Sequence, residues 1–127
     1  MLTQISQDVE EVNHLILKIW AIFDFEINKP LVDQDNISHR IKPLRDKLFE
    51  DFNLLSKNEG LLLLYGYKTQ QLQLRRYGEF LGKFTSYIAF KSEIPTAIDS
   101  RKYREDILKL RSDFYESLNK ILTSSKI

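Results

Sequence analysis

The side chains with most chemistry to offer are two histidines, His14 and His39, and the carboxylates around them. Glu11 and His14 stand three residues apart, the Glu-x-x-His spacing with which di-iron carboxylate bundles hold metal from one helix. Such a centre needs a second pair and two further inward glutamates. Asn36 occupies the matching position before His39, so the second pair is missing. His14 also falls opposite the apolar stripe of its own segment, beside Glu10 and Lys18, which directs it to solvent. No metal or other cofactor is expected.

Other reactive patterns fare no better. The chain has no cysteine, which removes thiolate ligands, disulfides and cysteine nucleophiles. It has no Gly-x-x-x-x-Gly-Lys phosphate loop, no Gly-x-Ser-x-Gly elbow and no His-Glu-x-x-His. An arginine four to six residues ahead of a histidine, as in one class of helical ribonucleases, is missing too. Those positions hold Val9, Asp8 and Gln7 before His14, and Gln34, Asp33 and Val32 before His39. The acidic pairs Glu10–Glu11 and Glu50–Asp51 are consecutive, so on a helix they diverge, which suits general acid–base work poorly. The chain reads as non-enzymatic.

Two patterns of another kind share the stretch from Tyr67 to Phe90. Plotted at about 100° per residue, it separates into three faces. Tyr67, Leu74, Tyr77, Leu81, Phe84 and Ile88 form an apolar seam with Phe80 at its edge. Gly78, Gly82, Thr85 and Ala89 form a strip almost free of side chains. Each glycine there costs up to about 1 kcal/mol relative to alanine. Two on one face therefore predict a close approach by another helix, inside the bundle or from a partner subunit. Lys68, Arg75, Arg76 and Lys83 occupy the third face, with Glu79 among them, and Lys91, Arg101, Lys102 and Arg104 follow around the next turn. These eight could meet the phosphates of a nucleic acid, with Tyr65, Tyr87 or Tyr103 near its bases. The plainer reading is a solvated charged face.

The elements that position these residues read as helices. From Ser6 to Glu26, Val9, Val12, Ile16, Ile19, Phe23 and Ile27 step by three or four, with Trp20 as a core anchor and Ser6 as N-cap. Asn28 to Asp35 reads as a loop. Ile37, Ile41, Leu44, Leu48, Phe52 and Leu55 define a second helix capped by Asn36 or Ser38, in two pieces that meet at Pro43 and end near Lys57. Lys57-Asn58-Glu59-Gly60 predicts a break, with Gly60 as C-terminal cap. The central helix follows, then a connection from Ser92 to Ser100. The last helix carries Tyr103, Ile107, Leu110, Phe114, Leu118 and Ile121, and the i,i+4 pairs Arg101–Glu105, Glu105–Lys109 and Glu116–Lys120. No segment alternates as a strand would. The expected fold is an all-α four-helix bundle, with five helical pieces if Pro43 kinks the second helix, in one domain spanning residues 1–127.

At 127 residues, with 43% hydrophobic and 12% aromatic content, the chain can build a real core. Its longest aliphatic run, Leu61–Leu64, is far short of the roughly 20 residues that cross a bilayer. Asp8, Glu10 and Glu11 argue against a secretory signal, so a cytoplasmic chain is expected. The net charge of +1 hides an asymmetry. Residues 1–36 hold two lysines against seven acids, a net −5, and residues 68–104 hold eight Lys/Arg against three acids, a net +5. Such a split can guide head-to-tail association or polyanion binding.

In size, helicity and basic face the chain resembles the small helical subunits of CRISPR effector complexes, which line up along nucleic acid. The likeness rests on architecture across the whole chain and implies a nucleic-acid backbone binder. The leading expectation from the residues themselves is a structural or interaction subunit working by helix packing, through a protein partner or self-association.

Overall fold

A computed structural model of the protein describes residues 1–89 and 95–124. Within them run four helices and no strand: α1 Leu2–Ile27, α2 Gln34–Leu64, α3 Lys68–Ile88 and α4 Ala97–Ser124. Each packs antiparallel on its sequence neighbour, and α1 and α4 close the ring. Bonds near the two ends of α1 fix the directions: Asn58 of α2 reaches Asp8, while Trp20 reaches Ser100 of α4. This is the all-α four-helix bundle that the apolar stripes predict. No helix of the described residues is long and apolar enough to cross a membrane.

The core forms where the stripes converge. Val9, Val12, Ile16, Ile19 and Phe23 from α1 are fully buried, as are Leu74, Leu81 and Phe84 from α3. Phe23 and Phe84 meet edge to face at 6.2 Å across the diagonal. Tyr77, placed in the same seam, brings a hydroxyl with it. That hydroxyl donates to Asn13 Oδ1 at 2.9 Å, a buried α3–α1 bond in the apolar middle. Gln70 Nε2 donates to the Ser117 carbonyl at 2.9 Å and ties the start of α3 to α4.

Several boundaries differ from expectation, each for a packing reason. α1 starts at Leu2 because Ile5 enters the core with no exposure. Ser6 is therefore inside the helix, its hydroxyl donating to the Leu2 carbonyl at 3.0 Å, and is not a cap. Asp33, rather than Asn36 or Ser38, caps α2 by accepting from the Asn36 N–H. α2 then runs as one helix through Pro43, not as two pieces. Pro43 removes one backbone donor, and Pro43 and His39 are both exposed, on the outer side of the helix. The stripe Ile41, Leu48, Leu55 and Leu62 continues unbroken beneath it.

The break predicted at Lys57–Gly60 is helical as well. Asn58 is fully buried and bonded to Asp8, and Leu62 beyond it is fully buried, so tertiary contacts override the weak local propensity. The helix ends instead at Leu64, just ahead of Gly66, whose φ of +81° suits glycine. The Tyr67 N–H returns to the Leu62 carbonyl at 2.8 Å and that of Gly66 to Leu63 at 3.0 Å, a Schellman closure. α4 begins at Ala97, within the stretch expected to be loop. Thr96 Oγ1 accepts from the Asp99 N–H, and buried Ser100 bonds Asp24 through its hydroxyl and Trp20 through its carbonyl. The ion pairs that form on α4 are Lys102–Asp106 and Lys109–Asp113, a different set from the three expected.

Candidate interaction surfaces

The seven candidate phosphate contacts among the described residues do not gather on one face. Arg75 turns toward α2, where its Nε lies 3.1 Å from Glu59 Oε1. The same oxygen accepts from Gln71 Nε2 at 2.8 Å. Lys83 and Lys102 line a groove between α3 and α4 together with Asp99 and Asp106. Arg104 lies over the Trp20 ring at 5.4 Å, on the α1 side of α4. Arg101 stands on the outer surface of α4 with Ile98 and Glu105. Lys68 and Arg76 are exposed. Lys91 lies outside the described residues. Of these cations Arg75 and Lys102 are ion-paired, while Lys68, Arg76, Lys83, Arg101 and Arg104 have no ion-pair partner among the described residues.

The α3–α4 groove has an aromatic lining. Tyr87 and Tyr103 pack at 4.6 Å, and Phe80 lies 5.6 Å from Tyr103. Burial, then the charge of Asp99, pushes the Tyr103 hydroxyl above its ordinary pKa and keeps it protonated. Two lysines facing two aspartates leave the groove close to neutral, so it offers ring surface without a net field. Tyr65 is far away, on the α2–α3 turn.

The glycine strip faces α2 without being closed by it. A Cβ on Gly78 would meet Leu55 Cδ1 at 3.5 Å, an ordinary contact, and one on Gly82 would meet nothing within 4 Å. Thr85 is buried, its hydroxyl donating to the Gly82 carbonyl at 2.8 Å, and Ala89 is half-buried. Of the strip, Gly78 lines a shallow groove bordered by Phe52, Leu55 and Ser56 of α2. Among the described residues no other helix backbone comes within 4 Å of a Cβ built on Gly82.

His14 and His39 are both exposed, on different helices. Among the described residues no group of three or more His, Asp or Glu side chains is placed to hold a metal ion. The buried carboxylate of Glu26 is already occupied, by Lys29, Arg40 and Asn36.

A surface that the residue patterns did not single out is more distinctive. Eleven large apolar side chains are exposed among the described residues, and nine lie at the two ends of the bundle. One end, where α2 turns into α3, shows Leu63, Leu64 and Tyr65 with Met1 and Leu122. The other, where α1 turns into α2, shows Phe25, Leu31 and Val32 with Ile98. Leu64 is 78% exposed and Leu31 86%. Among the described residues the long sides carry only Phe49 and Leu72. The one sequence signal was Leu61–Leu64, a run with four leucines where a helical stripe has use for two. The chain matches no family model, no curated protein and no solved structure.

Proposed function

We propose that this chain is a non-enzymatic helical subunit that docks the ends of its bundle onto protein partners in a larger assembly. The observation that carries this reading is the gathering of exposed apolar side chains at the two ends, with the long sides nearly free of them. Covering a leucine contributes roughly 1.5–3 kcal/mol, and grouped apolar exposure is the usual mark of an interaction surface. Leu64 and Leu31 also sit on turns held from behind. The Schellman closure sets the first, and Asp33 with the Glu26 cluster sets the second. A preformed surface loses little entropy on docking.

The test is the size of the native complex. Tagged wild type expressed in its own cells should elute well above monomer mass, and a double Leu31→Asp, Leu64→Asp variant should elute as monomer while remaining helical. Wild type at monomer mass, or an unchanged complex with the variant, would contradict the reading.

A second reading is a nucleic-acid backbone binder of the kind formed by the small helical subunits of CRISPR effector complexes. What favours it is the set of exposed cations on α3 and α4 without ion-pair partners, Lys68, Arg76, Lys83 and Arg101. Phosphate contacts release counterions, so affinity should fall steeply with salt and vanish in a triple Arg76→Glu, Lys83→Glu, Arg101→Glu variant. Fluorescence anisotropy on labelled oligonucleotides decides it. Equal binding by both proteins counts against these residues.

A further inference from the structure

We propose that the groove between α3 and α4 is a binding site for a small aromatic zwitterion, the chemistry of a free aromatic amino acid. The proposal goes beyond the docking reading and uses none of the exposed residues at the ends. The groove offers about 360 Å³, at the small end of the roughly 300–1,000 Å³ of ligand clefts. Phe80, Tyr87 and Tyr103 are half-buried, so each shows part of its ring to this space. Tyr103 packs on Tyr87 at 4.6 Å, on the fully buried Phe84 at 5.3 Å and on Phe80 at 5.6 Å. The rings therefore form a braced platform on which another ring can stack.

The charges of the groove divide into one used pair and two unused groups. Lys102 and Asp106 are bonded to each other at 2.9 Å. Lys83 on the α3 wall and Asp99 on the α4 wall reach neither each other nor any other ion-pair partner among the described residues. Lys83 Nζ lies 6.0 Å from the centre of the Phe80 ring, so its ammonium stays at the edge of the platform. Asp99 is near enough to Tyr103 for its charge to help keep that hydroxyl protonated. An ammonium donor on one wall thus faces a carboxylate acceptor and a hydroxyl donor on the other.

An amino-acid-sized occupant with one ring and one charge of each sign uses all of these groups at once. Its ring lies on the platform, its ammonium meets Asp99 and its carboxylate meets Lys83. Other classes fit worse. A phosphorylated ligand brings excess negative charge to a groove with two aspartates and one uncommitted ammonium. An aliphatic zwitterion leaves the rings unused.

The experiment is an NMR titration of the isotope-labelled full chain with free tryptophan, tryptamine and indolepropionate. Tryptophan should shift the amides of Lys83, Asp99 and Tyr103. Tryptamine lacks the carboxylate and indolepropionate lacks the ammonium. Each should bind about three- to tenfold more weakly, the loss of one exposed charge-assisted contact. Two variants then assign the charges. In Lys83→Met tryptamine should bind as well as tryptophan, and in Asp99→Asn indolepropionate should. Both side chains are exposed, so helicity by circular dichroism should not change. No shift with tryptophan up to its solubility limit overturns the proposal, as do shifts centred outside the groove or equal affinities for the three probes. The comparison of probes uses the wild type alone, so it decides the matter even where a substitution disturbs α4.

Discussion

The middle of this bundle and its ends are built to opposite rules. In the middle, Val12, Ile16 and Leu74 are fully enclosed, and the polar atoms of Asn13 and Tyr77 find each other. At the ends, leucines stand in water on turns that are themselves well tied down by backbone closure and capping. The exposed leucines are therefore not the result of a loose terminus. An enclosed middle and apolar ends fit the proposed division of labour between stability and contact.

That division can be broken from the inside. Phe84→Ala removes a fully buried ring packed against Phe23 and Tyr103, and should cost about 3–5 kcal/mol in urea unfolding. Association measured well below the new melting point should stay intact. Tyr77→Phe keeps the ring but strands Asn13 Oδ1 in the core, a cost of about 1–3 kcal/mol read by the same method. A near-zero change would mean that water reaches this bond.

Smaller effects sharpen the contrast along the sides. Gly82→Ala adds a methyl group that meets nothing within 4 Å, so stability should rise by up to about 1 kcal/mol in thermal unfolding. Lost association in that variant would move the docking surface from the ends to the glycine groove. The last effect appears only in acid. Hydrogen bonds from Lys29 first and Arg40 second hold the Glu26 carboxyl below its ordinary value near 4.5. Its folded pKa lies under the unfolded one, so its contribution is full above that value and is lost as pH falls through the folded pKa. Glu26→Gln should flatten the acid limb of the stability curve and leave the neutral region level. An unchanged acid limb would show that the cluster contributes nothing to folding.

The fold was legible because its signal is periodic. Val9 to Phe23 and Leu74 to Ile88 announce their buried faces by spacing alone, and the structure buries them. Boundaries were less legible, since Asn58 and Ser100 are held in helices by Asp8, Asp24 and Trp20, partners 50 to 80 residues away. Gly60 and Gly66 carry the same local signal, and only tertiary packing chose the second as the stop. The basic stripe suffered from the same limit. Spacing placed its residues on adjoining surfaces, but Glu59 and Trp20 draw Arg75 and Arg104 to opposite sides. The ends were almost invisible in the sequence, because neither Leu31, an apolar residue in an expected loop, nor Leu64, the last of a leucine run, declares its exposure until the turns are built.

Hydroxyl-radical footprinting of the native complex against the dilute purified chain tests the division of labour most directly. The ends should be protected on assembly, at Leu63, Leu64 and Tyr65 and at Phe25, Leu31 and Val32. Phe49 and Leu72, the exposed apolar residues of the sides, should oxidise equally in both states. Protection at Phe49 or Leu72 with the ends unchanged would contradict the account.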